Sequence, residues 1–87
     1  MPDTHIDALS KQLELSENAI YRAKQIELQS FEKWGEKDAL GIAVAAIYIA
    51  SILDGNRRTQ KKICECAKTY PYKLYFWYTK MAEHLDL

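Results

Sequence analysis

Apolar residues recur along most of the chain at spacings of three and four positions, which is the period of an amphipathic α-helix. Ile6, Leu9 and Leu13 form the first of these stripes. Residues that favour helix ends separate the stripes, with Asp, Ser or Thr before a first turn and Gly after a last one. Together these patterns predict an all-α fold of five helices, at about 3–13, 17–34, 37–53, 60–67 and 71–85.

The third predicted helix is apolar on nearly every side. Residues 39–53 contain no charged side chain and many small ones. Such a helix is typical of the centre of a bundle, where other helices surround it. Its apolar run is shorter than the ~20 residues that cross a membrane and is closely flanked by charges, so we predict no membrane association.

The fifth predicted helix, which Pro71 opens, has two different sides. A stripe at spacings of four, three and four predicts its core-facing side: Leu74, Tyr78, Met81 and Leu85. The opposite side near its start is more aromatic than a plain solvated surface, and its residues are Tyr72, Lys73, Tyr75, Phe76 and Thr79.

Charge is distributed unevenly along the chain. The 87 residues carry 12 basic and 12 acidic side chains, and the formal net charge of zero excludes binding to nucleic acid through bulk charge alone. Residues 1–54 hold five basic and nine acidic side chains, a net charge of −4, whereas residues 55–80 hold seven basic and one acidic, a net charge of +6. The basic segment indicates a surface that meets a polyanion, the alternative being ordinary solvated helix surface.

The last two predicted helices form a helix-turn-helix pattern, although plain helical packing can produce the same spacing. In the DNA-binding version, the second helix reads base edges in the major groove, while the first helix and its flanking basic groups hold phosphates. The base-reading candidates are therefore Tyr72, Lys73, Tyr75 and Phe76. The phosphate-binding candidates lie at or just before the first helix: Arg57, Arg58, Thr59, Gln60, Lys61 and Lys62. Free amides behind the Thr59 cap would also suit a phosphate.

Other chemistry finds little support in the sequence. Cys64 and Cys66 are two positions apart, so on a helix they point in different directions and cannot form a disulfide with each other. They do not complete a metal site either, since His5 and His84 lie at opposite ends of the chain. No nucleophile, base and orienting residue can be assembled. We therefore expect a protein that is not an enzyme and has no metal or cofactor.

Three motifs carry a resemblance to a known family. An alanine-rich third helix ends in Tyr48-Ile49-Ala50, a short turn leads to Arg58-Thr59-Gln60-Lys61, and Leu13-Glu14-Leu15-Ser16 stands at the junction of the first two helices. The chain resembles transcription factor IIB and its archaeal counterpart, transcription factor B, in the second of that family's two cyclin-like repeats. The resemblance extends over essentially all 87 residues. It implies a single domain with the five-helix cyclin-like fold, ending in a helix-turn-helix.

In that family the second repeat recognises the promoter element just upstream of the TATA box. The resemblance therefore implies a transcription initiation module that contacts double-stranded promoter DNA, with the TATA-binding protein or the RNA polymerase complex as further partners. By position, the family's base-reading side chains fall on Tyr72, Lys73 and Tyr75. This sequence has Lys68 where the family usually has Gly, and Lys73 where it has a small or β-branched residue. It also lacks the family's Arg near Tyr75, which is the best bidentate partner for guanine.

The family's zinc ribbon, linker and first repeat do not fit into 87 residues, so we expect either a fragment of a longer factor or a stand-alone single repeat. An alternative function is a protein-interaction module that docks on the transcription machinery, or competes with the full-length factor, through Tyr72, Tyr75 and Phe76. The resemblance implies a location in the cytoplasm of an archaeal cell or of the host of an archaeal virus, and otherwise in the nucleus.

Overall fold

A computed structural model describes residues 5–85, which fold into five α-helices. These are α1 (His5–Leu13), α2 (Glu17–Trp34), α3 (Ala39–Leu53), α4 (Gln60–Ala67) and α5 (Pro71–His84). The all-α prediction is confirmed, and α2 and α4 have the predicted bounds. The predicted cap of α1 at Asp3 or Thr4 lies outside the described residues.

The predicted starts of three helices are confirmed by their caps. The Ser16 hydroxyl accepts a hydrogen bond from the amide of Ala19 in α2, at 3.1 Å, and the Thr59 hydroxyl accepts one from Lys62 in α4, also at 3.1 Å. Each bond satisfies an amide that has no partner within its own helix. Pro71 is the first residue of α5, where its missing N–H costs no hydrogen bond.

The start of α3 differs from the prediction by two residues. The helix begins at Ala39 rather than Lys37 because Asp38 occupies the N-cap position and accepts a hydrogen bond from the amide of Gly41. The end of α5 also differs from the prediction. This helix stops at His84, one residue earlier than predicted, and the Leu85 amide donates a hydrogen bond to the Met81 carbonyl.

The central position of α3 is confirmed. This helix contacts all four of the others, and every residue from Gly41 to Ser51 is buried. Its small side chains let the neighbouring helices come close, and so the apolar composition of one segment organises the whole bundle. None of the helices within residues 5–85 combines the length and the hydropathy that a membrane crossing needs.

The core-facing stripe of α5 fixes which side of that helix is left for solvent. Leu74 and Met81 are completely buried, whereas Tyr78 and Leu85 are partly buried against the core. The Tyr78 ring meets the ring of Tyr48 edge to face, with 5.1 Å between the ring centres. The aromatic residues at the start of α5 therefore lie on the exposed side.

Candidate nucleic-acid interface

The turn between α4 and α5 consists of three residues, 68–70. Lys68 ends α4 in the left-handed conformation, with φ 56° and ψ 44°, where glycine is the usual residue. Its amide donates to the carbonyls of Cys64 and Glu65, and the Thr69 amide donates to Cys64 at 3.1 Å. These bonds fix the point at which α5 starts relative to α4.

Most of the predicted phosphate-binding residues are accessible at the N-terminal end of α4. Arg57, Thr59, Lys61 and Lys62 are exposed, and Gln60 is half-buried. Arg57 makes no hydrogen bond or ion pair with any residue in the range 5–85, which leaves its guanidinium available. The basic groups therefore surround the positive end of the α4 dipole, an arrangement that favours an anion.

Arg58 has a different environment from the other basic residues. Its guanidinium donates to three backbone carbonyls, those of Leu13 at 3.0 Å, Glu14 at 3.1 Å and Asn56 at 2.8 Å. The Arg58 amide donates to the buried hydroxyl of Ser51 at 3.1 Å. Arg58 thus connects the loop before α4 to the end of α1, and all three of its guanidinium nitrogens donate hydrogen bonds within the protein.

The predicted base-reading side of α5 is a cluster of exposed rings. The exposed fractions are 67% for Tyr72, 59% for Tyr75 and 51% for Phe76. Tyr70, in the turn, extends the cluster by stacking on Tyr72, with 5.7 Å between ring centres and 21° between ring planes. The Lys80 amine lies 5.1 Å from the centre of the Phe76 ring, within the range of a cation–π contact.

Lys73 is held against the body of the protein instead of standing free among these rings. Its amine lies 3.2 Å from one carboxylate oxygen of Asp38, and the Trp77 indole N–H donates to the other at 2.7 Å. Burial by itself would raise the pKa of the Asp38 carboxyl. The hydrogen bonds from Trp77, Lys73 and the Gly41 amide outweigh that effect and hold the pKa below its ordinary value.

The sequence-based prediction did not include Asp38, Trp77 or Tyr70. No local pattern indicates the first two as partners, because 39 positions separate them in the chain. Tyr70 is next to the predicted set, and its aromatic character could have extended that set by one residue.

The cysteines do not alter this picture. Both are free thiols, and burial raises the pKa of the Cys64 thiol. Within residues 5–85, His, Cys, Asp and Glu side chains form no cluster of three or more that could hold a metal ion.

A five-helix bundle around an apolar central helix, ending in a helix-turn-helix, is the architecture of a cyclin-like repeat. The chain belongs to the transcription factor TFIIB repeat family, whose model matches residues 1–84. The family resemblance seen in the sequence is thereby confirmed.

The relatives are archaeal transcription initiation factors. The chain is 38% identical over 88 residues to transcription initiation factor IIB of Methanopyrus kandleri, and the match covers 99% of this chain and 29% of that protein. It is 35% identical to the factor of Methanocaldococcus jannaschii, covering 99% of this chain and 13% of that protein. Identity to transcription initiation factor IIB 1 of Thermococcus kodakarensis is 30%, with 99% and 29% covered. The chain thus spans less than a third of the length of these relatives.

Proposed function

We propose that this chain is a transcription initiation module that binds double-stranded promoter DNA through α4, the turn and α5. One observation carries the proposal: a segment with a net charge of +6 places exposed cations at the start of α4 and an exposed aromatic surface at the start of α5. These are the two parts that a DNA-binding helix-turn-helix presents to phosphates and to base edges. The relatives' role as initiation factors supports the same function, with the TATA-binding protein and the RNA polymerase complex as further partners.

In this proposal the exposed cations Arg57, Lys61 and Lys62 neutralise phosphates, while Thr59 and Gln60 bring the α4 N-terminus close to the backbone. Arg58, which the sequence grouped with them, shapes the loop that presents them.

Tyr72, Tyr75 and Phe76 face the major groove in the proposed complex. Lys73 stands beside them and is paired with Asp38.

Fluorescence anisotropy with duplex DNA over a range of salt concentrations tests the proposal. Each phosphate contact contributes about −0.9 to the slope of log K against log salt concentration. We expect Arg57→Ala, Lys61→Ala and Lys62→Ala each to make the slope shallower by about that amount. Arg22→Ala, an exposed cation on α2, is the matched control and should leave the slope unchanged. An unchanged slope in a variant that combines all three substitutions would contradict the proposed surface.

A second function, docking on another protein of the transcription machinery or competing with the full-length factor, is favoured by the exposed rings of Tyr70, Tyr72, Tyr75 and Phe76. The same assay separates the two functions when it is repeated with the TATA-binding protein present. Absence of DNA binding under both conditions, together with salt-insensitive binding to a transcription protein, would support docking.

A further inference from the structure

Two polar side chains on the exposed side of α5 already have partners within the protein. Lys73 is paired with Asp38, and the Thr79 hydroxyl donates to the Phe76 carbonyl at 2.9 Å. The helix contains no Arg, Asn or Gln, and of the residue types that read guanine or adenine through paired hydrogen bonds it has two lysines. Lys73 is the one paired with Asp38, and the amine of Lys80 lies against the Phe76 ring. Tyrosine hydroxyls can make single bonds but not such bidentate pairs. The exposed side of α5 therefore offers few side chains that could recognise a purine through paired hydrogen bonds.

Two of the rings on this side, those of Tyr72 and Phe76, make ring contacts within the protein. Tyr72 is stacked on Tyr70, and Phe76 packs edge to face against Trp77, with 5.2 Å between ring centres. Trp77 is itself fixed by its hydrogen bond to Asp38. Because these contacts limit the motion of the Tyr72 and Phe76 rings, those two side chains lose little conformational entropy when they meet an apolar partner.

We propose that this aromatic surface selects thymine-containing sequences by contact with thymine methyl groups in the major groove, an inference that rests on the proposed DNA-binding function. The thymine C5 methyl is the apolar group that a standard base pair displays in that groove. Removing a methyl-sized apolar group from water strengthens binding by about fourfold. Guanine displays two acceptors there, which the rings would desolvate without supplying paired donors.

The experiment begins with selection of bound sequences from a pool of duplexes with a randomised centre, using the full 87-residue chain. We expect the selected sequences to be enriched in thymine. A selected duplex is then made again with deoxyuridine at every thymine, which removes the methyl groups and keeps the charge and base-pairing groups. At fixed salt concentration, affinity should fall about fourfold for each contacted thymine, with the salt slope unchanged.

Variants assign the effect to the aromatic surface. Tyr75→Ala and Phe76→Ala alter exposed side chains, and each should bring the ratio of thymine to deoxyuridine affinity closer to one. Lys61→Ala is the matched control, since it should weaken binding to both duplexes equally and leave that ratio unchanged. In a G·C-rich duplex, 5-methylcytosine should strengthen binding because it adds a methyl group in the major groove.

The outcomes separate this inference from the proposed function. Equal affinity for the thymine and deoxyuridine duplexes, with salt-dependent binding retained, would overturn methyl readout and leave DNA binding intact. Stronger binding to the single strand than to the duplex would also overturn it, since that result indicates base stacking on the rings. Failure to bind any DNA would refute both proposals together.

Discussion

Replacing Arg58 with alanine distinguishes a residue that binds phosphate from one that organises the loop. The variant loses three hydrogen bonds that join the start of α4 to the carbonyls of Leu13, Glu14 and Asn56. Arg57→Ala is the matched control. It removes the same charge one position earlier, from an exposed side chain that makes no hydrogen bond or ion pair within residues 5–85.

The magnitude follows from the surroundings of the three acceptors. The bond to Leu13 is partly buried, and a hydrogen bond from a charged donor in such a place contributes about 1.5–3 kcal/mol. The bonds to Glu14 and Asn56 are exposed, so water can replace Arg58 there, and we assign them about 0.5 kcal/mol each. Loss of Arg58 should therefore lower the free energy of unfolding by about 3 kcal/mol, whereas loss of Arg57 should change it by no more than about 0.5 kcal/mol.

Urea and thermal unfolding followed by circular dichroism measure the difference. In a domain of this size, about 3 kcal/mol corresponds to a decrease in Tm on the order of 15 °C. Arg58→Lys keeps the charge but cannot reach three carbonyls at once, so it should recover little of the lost stability.

DNA affinity is measured below the unfolding transition of each variant. If Arg58→Ala unfolds like the wild type and loses as much DNA affinity as Arg57→Ala, Arg58 binds phosphate and the loop role is refuted.

Three further variants test other features of the structure. Burial and neighbouring carboxylates raise the pKa of Glu27 to about 6, so its contribution to stability is present below pH 4.5 and is lost as the pH rises through 6. In urea unfolding, Glu27→Gln should reduce the change in the free energy of unfolding over this pH range by about 2 kcal/mol. A pH profile identical to that of the wild type would contradict the raised pKa of Glu27. Gly41→Ala should lower the free energy of unfolding by about 1–2 kcal/mol, despite the better helix propensity of alanine. The reason is that a Cβ at this position would lie 2.5 Å from the Asp38 carboxylate and 2.7 Å from the Trp77 ring. A Tm higher than that of the wild type would refute this close approach. Lys68→Gly should raise stability by about 0.5–1 kcal/mol by relieving the left-handed conformation at the end of α4, and a decrease in thermal unfolding temperature would exclude that explanation.

The helices and their order could be predicted from the sequence because the determining interactions are local. The Ser16 and Thr59 caps satisfy amides three residues away, and Pro71 starts α5 through its own fixed backbone angle. The central position of α3 follows from its composition, since a helix without charged residues is stable in water only when others cover it. The candidate DNA-binding surface likewise follows from the charge distribution along the chain.

The roles of individual cations were decided by tertiary structure. From the sequence alone, Arg57 and Arg58 are expected to have the same role. Within residues 5–85, however, Arg57 makes no hydrogen bond or ion pair, whereas Arg58 donates to a carbonyl 45 positions away at the end of α1. Lys73 likewise meets a carboxylate 35 positions away, which leaves mainly rings on the outer side of α5. Local periodicity places a side chain on one side of a helix, but its partner depends on which helices pack together and at what distance. The sequence alone therefore determined the fold class and the location of the basic, aromatic surface, whereas the packing of α1, α3 and α5 decided which charges on it remain available.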